Sequence, residues 1–257
     1  MPVELGGSDA EYTIRTISER ERLAIEDFFF RQEIRVTLSP QATAVIVPYS
    51  SATNPTMEEF AVLIECALGI LTLSGFMPIK VVAKFNDSSC SSAMQRTYEA
   101  PAEFPTFPKR LGSRMAIQWM RHFFEARVRA RGLHITADRF VRYMKASSSR
   151  DSLVDLCICL ESLIEAQTEI SFRFATCLSK VCGLEGKLDI RDLLSDLYDL
   201  RSKVVHGTDS TKEHKRVEPN ASRLRLVARA ILSSYVLYMT NHTKDEWKQH
   251  LRNSLFA

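Results

Sequence analysis

Residues 198–207, "YDLRSKVVHG", place an arginine and a histidine in an R-x4-H arrangement directly before a glycine. A histidine with a pKa near neutrality can remove a proton from a reacting group or return one to it. An arginine can stabilise the negative charge that develops on phosphoryl oxygens. Because RNA carries its own nucleophile, the 2′-OH, these two side chains suffice in principle for RNA cleavage without a metal. Arg201 and His206 are therefore candidate catalytic residues.

The R-x4-H spacing alone is weak evidence, because Arg129 and His134 repeat it. Along a regular α-helix, five residues correspond to a rotation of about 140°, so Arg201 and His206 do not share one face. Two arrangements remain open. The helix can end at His206, as Gly207 favours, or two copies of the helix can each contribute half of a site across a two-fold axis.

The charged residues are distributed unevenly along the chain. Residues 1–108 have a net charge of −6, residues 109–150 of +9 and residues 151–257 of zero. A short basic segment is typical of a surface that binds a polyanion, since phosphate contacts provide salt-dependent affinity. The alternative is that these arginines cover exposed helix faces or pair with the acidic N-terminal part. The candidate RNA-binding residues are Arg121, Arg127, Arg129 and Arg131.

The first hundred residues predict a mixture of strands and helices. β-branched or alternating runs predict strands over 11–17, 33–38, 43–49 and 79–85. A helix is expected over 17–32, and a second helix follows a capping box formed by Thr56 and Glu59. A proline-rich stretch at 100–112 and the change in charge place a domain boundary near residue 108.

The remainder of the chain predicts helices only. Ser148 and Asp151 form a capping box before one helix of about thirty residues, or before two helices joined near 167–169. The other predicted helices cover 112–131, 136–146, 190–205, 220–240 and, after a Thr243/Glu246 capping box, 244–254. We therefore expect an α+β protein with a mixed α/β domain at 1–108 and an all-α helical bundle at 109–257.

Several functional classes find no support in the sequence. The cysteines show no zinc-site spacing and are expected to be reduced, "GLEGK" at 183–187 lacks the phosphate-loop spacing, and we expect no cofactor. The apolar run at 60–77 is interpreted as a buried helix and not as a membrane span. With no secretory signal visible, a cytoplasmic protein is expected.

Residues 110–255 resemble the HEPN superfamily, in its ApeA-like branch. The residues that carry the resemblance are "LVDLCICLESLIEAQTEISFRFATCLSKVCG", with its L-E-x-L turn and E-I-S-F-R-F segment, and the terminal "YDLRSKVVHG". The resemblance implies a helical bundle that dimerises, with two R-x4-6-H motifs meeting at the dimer interface. It also implies metal-independent RNA cleavage, often as an effector of a prokaryotic anti-phage, abortive-infection or toxin–antitoxin system.

Carried over to this sequence, the resemblance makes His206 the general acid/base and Arg201 the residue that stabilises the phosphorane. The residue after the arginine is polar in active members, and here it is Ser202. Lys203 and Tyr198 could hold the RNA backbone or orient the histidine, and Asp199 could orient Arg201 or the partner's histidine. From its negative charge and its place in the chain, and not from the resemblance, the 1–108 domain is hypothesised to sense a phage-derived trigger or to cover the basic helices of 109–150. A regulatory partner protein is a further expectation.

A non-enzymatic alternative remains open at the level of sequence. In this reading the bundle binds nucleic acid, a nucleotide or a partner protein. Arg201 would then pair with Asp196 or Asp199, and His206 would stabilise the C-terminus of its helix, where a positive charge is favoured.

Overall fold

The structure is a computed structural model of the chain. It describes residues 13–16, 18–31, 43–46, 56–71, 81–86, 89–95, 113–130, 132–146, 149–164, 170–181 and 188–256. The predicted strand at 33–38, the "GLEGK" segment and the prolines of 100–112 lie outside these residues.

Ten α-helices account for most of the described residues. They are α1 (Glu19–Phe30), α2 (Met57–Leu71), α3 (Ser113–Arg129), α4 (Leu133–Ala146), α5 (Arg150–Glu161), α6 (Ile170–Val181), α7 (Leu188–Val205), α8 (Thr211–Val217), α9 (Ala221–Met239) and α10 (Lys244–Phe256). A short 3₁₀ turn, Glu218–Asn220, joins α8 to α9.

Four short strands occur near the N-terminus of the chain. They are β1 (Thr13–Thr16), β2 (Thr43–Ile46), β3 (Val81–Asn86) and β4 (Ser89–Gln95). β1 pairs with β2 and β3 pairs with β4, both antiparallel, and no bonding joins the two pairs within the described residues.

The predicted fold class, α+β with an N-terminal mixed α/β domain, is wrong, because the fold that the described residues build is helical, and their strands form only two separate two-stranded pairs. The buried core described by the structure comes from helices α2 to α10 and their adjoining turns. Alternating residues identify strands locally, but a two-layer α/β domain also needs a sheet wide enough to cover its helices. The described strand pairs are too narrow for that, and α2 is buried by other helices instead.

α2 shows how a helix from the first hundred residues enters the bundle. Its predicted capping box is confirmed, since the Thr56 N–H donates to Glu59 Oε2 at 2.9 Å and the Glu59 N–H donates to Thr56 Oγ1 at 3.1 Å. Residues 61–67 are all buried, and α2 packs against α3 and α4. A Cβ atom added at Gly69 would lie in ordinary contact with Phe140 and Met144 of α4.

The segment 150–181 forms two helices, which was one of the two alternatives that the sequence left open. α5 begins after Ser149, whose side chain accepts a hydrogen bond from the Ser152 N–H, so the predicted cap at Ser148 is displaced by one residue. The turn after α5 is fixed by a residue that is distant in sequence. The indole N–H of Trp247 in α10 donates a hydrogen bond to the Leu163 carbonyl at 2.7 Å. The predicted Thr243/Glu246 capping box of α10 is confirmed.

The described helices do not include one that is both long and apolar enough to cross a membrane. The apolar run of α2 is a buried helix of the bundle, as predicted. The division of the chain into 1–108 and 109–257 stays a prediction, since residue 108 lies outside the described residues.

The position of α2 allows this division to be tested. We expect the fragment 109–257 to lose cooperative unfolding, because it exposes the apolar faces of α3 and α4 that α2 covers. A fragment 55–257, which retains α2, should unfold cooperatively in urea when followed by circular dichroism. An equal urea midpoint for 109–257 and the full chain would show that residues 1–108 fold as a separate domain.

Candidate functional site

The candidate site lies at the C-terminal end of α7, where the helix leaves the core. The apolar side of α7 is buried up to Leu200, and it packs against α5 and α6. After Leu200 no residue is buried until Ser210. Because the leucines of α7 recur on one face and are buried, the helix has a fixed orientation. The polar residues that follow Leu200 therefore lie at a defined position.

Gly207 ends α7 in the way that the sequence favoured. Its φ of 64° lies in the left-handed region that favours glycine. The Gly207 N–H donates to the Val204 carbonyl at 3.1 Å, and the Thr208 N–H donates to the Lys203 carbonyl at 3.0 Å. These two bonds form a Schellman motif, in which His206 is the C-cap residue.

His206 is exposed at this helix end. Its backbone N–H still donates to the Ser202 carbonyl at 3.1 Å, so the backbone of the residue is fixed. Its imidazole makes no hydrogen bond or ion pair with a described residue. The ring is therefore free to contact a substrate or a second protein molecule.

Arg201 is held by a carboxylate of another helix. Its Nη2 atom lies 3.1 Å from Glu161 Oε2 at the end of α5, and the two side chains are 25% and 21% exposed. The Nε atom of Arg201 is buried and has no hydrogen-bond partner among the described residues. The ion pair therefore orients the guanidinium and neutralises part of its charge.

Two further side chains line this ion pair. Tyr198 packs its ring on Phe174 of α6 at a centroid distance of 5.6 Å. Burial, and then the negative charge of Glu161, raise the pKa of the Tyr198 phenol. Burial also raises the pKa of the Cys157 thiol, with Glu161 adding to the effect and Arg201 opposing it. Both groups are therefore protonated at neutral pH, and the Cys157 thiol is not an activated nucleophile.

The other predicted supporting residues lie on different sides of the helix end. Asp199 and Lys203 are exposed, and Ser202 is half-buried. Lys203 contributes to the electrostatic environment of Asp209, whose pKa is lowered chiefly by hydrogen bonds from Thr211. The structure thus groups Tyr198 with Arg201, while Asp199 and Lys203 face solvent.

The partner proposed for Arg201 in the non-enzymatic alternative is different in the structure. Asp196 is paired with Arg216 of α8 at 2.9 Å and not with Arg201. The carboxylate that holds Arg201 is Glu161, to which the sequence analysis assigned no role. The feature of the sequence that could have identified Glu161 is its position, because it is the acidic residue within the apolar L-E-x-L turn.

The structure describes three of the four candidate RNA-binding arginines, and two of these three lie close to a glutamate. Arg121 lies 3.7 Å from Glu125 on the same helix, and Arg129 is exposed. Arg127 lies 3.5 Å from Glu59 of α2, so it pairs with the acidic N-terminal part, as the sequence alternative allowed. Arg131 lies outside the described residues.

The second R-x4-H pair, Arg129 and His134, also contacts α2. His134 Nε2 lies 3.6 Å from Glu59 Oε1, whereas Arg129 is directed to solvent. One carboxylate therefore contacts Thr56, Arg127 and His134. This arrangement ties α2 to α3 and α4, which is a structural role.

The described residues contain no cluster of three or more His, Cys, Asp or Glu side chains placed to hold a metal ion. Cys66, Cys157, Cys159 and Cys177 are buried free thiols.

Comparison of the chain with protein-family models, with curated proteins and with solved structures found no match. The resemblance to the HEPN superfamily thus has no further support from these comparisons.

The Arg201–Glu161 ion pair predicts a measurable coupling between α5 and α7. We expect Glu161→Ala to lower the free energy of unfolding by about 1–2 kcal/mol, because it leaves a partly buried guanidinium without its counter-ion. Urea denaturation measures this change. In an Arg201→Ala background the same substitution should cost clearly less.

Asp192→Ala provides the matched control, since Asp192 is exposed on α7. It should change the free energy of unfolding by no more than about 0.5 kcal/mol. Equal losses for Glu161→Ala in the presence and absence of Arg201 would contradict the coupling.

Proposed function

We propose that the end of α7 is the active site of a metal-independent endoribonuclease of the HEPN type. The observation that carries the proposal is the exposed, unbonded imidazole of His206 at a fixed helix end, on the same helix as an arginine oriented by Glu161. A general base must be accessible and must not be engaged elsewhere, and a charge-stabilising arginine must be preorganised.

The proposed reaction begins with the 2′-OH of the RNA. A His206 imidazole accepts the hydroxyl proton while the 2′ oxygen forms a bond to the adjacent phosphorus. The bond from phosphorus to the 5′ oxygen breaks, and the departing oxygen takes up a proton from a protonated imidazole. Arg201 stabilises the charge on the non-bridging oxygens. The products are a 2′,3′-cyclic phosphate and a 5′-hydroxyl end.

A homodimer would supply the two groups together. Arg201 and His206 are about 140° apart around the helix axis, so one copy directs them to different sides. Arg201 turns toward α5, whereas His206 faces solvent beside Val205, which is 54% exposed.

The proposal extends to the biological setting only through the resemblance. A cytoplasmic effector of a prokaryotic defence or toxin-type system would need its nuclease activity to be controlled. The first hundred residues, a regulatory partner or a phage-derived trigger would exert this control. The exposed Arg129 and the partly exposed Arg121 could contact RNA phosphates.

A second function is favoured by one observation. Because Glu161 already neutralises part of the charge of Arg201, the arginine has less charge to offer a phosphorane. In that case the bundle is a non-catalytic module that binds nucleic acid, a nucleotide or a partner protein. Binding without cleavage would distinguish this function from the first.

The test is cleavage of labelled RNA in EDTA by the full chain. We expect Arg201→Ala and His206→Ala each to reduce the rate at least about a hundredfold, since each removes a group that acts in the transition state. His250→Ala, which also removes an exposed histidine, should cleave as fast as the unmodified chain.

The end groups of the product provide an independent check, because attack by the 2′-OH leaves a cyclic phosphate. Cleavage that persists unchanged in His206→Ala would refute the proposed site. Binding of RNA with no cleavage by any variant would favour the non-catalytic module.

A further inference from the structure

Two arginines of α9 lie on one face of the helix. Arg225 and Arg229 are four residues apart, which places their side chains next to each other. Arg225 Nε and Arg229 Nη1 are buried atoms that have no hydrogen-bond partner among the residues that the structure describes. Neither guanidinium forms an ion pair with a carboxylate of the described residues.

Residues of α2 and α4 contact this pair. Arg229 Nε donates to the carbonyl of Ile70, near the end of α2, at 2.5 Å. The Arg225 guanidinium carbon lies 5.9 Å from the centroid of the buried Tyr143 ring in α4. The Tyr143 hydroxyl donates to the Ala221 carbonyl at 2.9 Å, which fixes the ring against the start of α9. The two guanidiniums are therefore positioned by the fold and are not free surface side chains.

This arrangement is unfavourable in the protein alone. Burial, and then the positive charge of Arg225, lower the pKa of Arg229. Like charges four residues apart on a helix repel each other, and buried charges normally have a partner. Arg223 shows the contrast on the same helix, because Asp189 neutralises it.

We propose that Arg225 and Arg229 form a binding site for a phosphate group, separate from the end of α7. Two adjacent guanidiniums offer forked donors that match the oxygens of a doubly charged oxyanion. An anion bound between the two guanidiniums removes their mutual repulsion. The residues that contact this pair lie on α2 and α4, whereas Arg201 contacts Glu161 of α5.

The phosphate could belong to a free phosphorylated molecule or to the backbone of RNA, and both offer the same chemistry. The experiment uses the full chain and inorganic phosphate, with sodium chloride at equal ionic strength as the reference. We expect phosphate to raise the midpoint of thermal unfolding, since a ligand that binds the folded state stabilises it. Titration calorimetry should show the apparent Kd for phosphate increasing about tenfold or more in Arg225→Gln, which loses one charge-assisted contact.

Arg223→Gln is the matched control, because it removes a paired arginine from the same helix. It should bind phosphate as the unmodified chain does. A second arm measures binding of a 2′-O-methyl RNA oligonucleotide, which cannot be cleaved by 2′-OH attack. Weaker oligonucleotide binding by Arg225→Gln identifies backbone phosphate, and unchanged binding with loss of inorganic phosphate identifies a free phosphorylated ligand.

A labelling experiment tests the same site without a substitution. Phenylglyoxal modifies accessible arginines, and mass spectrometry locates the modified residues. We expect phosphate to protect Arg225 and Arg229 more than Arg223. Equal labelling with and without phosphate, or an unchanged phosphate affinity in Arg225→Gln, overturns the proposal. None of these readouts involves RNA cleavage, so the result is independent of the function proposed for the end of α7.

Discussion

The packing of α7 between α5 and α6 is the constraint on which the candidate site depends. The leucines of α7 are buried as far as Leu200, and the next residue is the arginine that contacts α5. Gly207 then ends the helix with a backbone conformation that other residues rarely adopt. Burial at one end and a defined stop at the other leave one short segment, 201–206, whose side chains are both positioned and accessible.

Partly buried charges in this bundle are generally matched across helices. Arg139 pairs with Asp155, Arg127 with Glu59 and Arg201 with Glu161. Each pair joins two helices whose apolar faces already touch, so the charge is neutralised where water is scarce. Arg225 and Arg229 of α9 differ from these pairs, because neither forms an ion pair with a carboxylate of the described residues. Their mutual repulsion lowers the stability of the free protein, which is why we propose that they bind an anion.

Short-range patterns were good predictors of helix ends and poor predictors of architecture. The Thr56 and Thr243 capping boxes are confirmed, because a capping box involves only residues three apart in sequence. The α+β fold class is wrong, because hydrophobic alternation does not say which elements will pack together. The apolar face of α2 predicted burial, but not that α3 and α4 would provide it.

The sequence by itself determined that Arg201 and His206 stand at a helix end and that Gly207 terminates the helix, because these depend on backbone conformation over a few residues. Only the tertiary structure decided that Glu161 holds Arg201 and that Glu59 contacts Arg127 and His134. It also decided that Arg225 and Arg229 pair with no carboxylate of the described part of the chain. These partners are distant in sequence. They come together because the helices pack their apolar faces against one another, and this packing depends on the whole core.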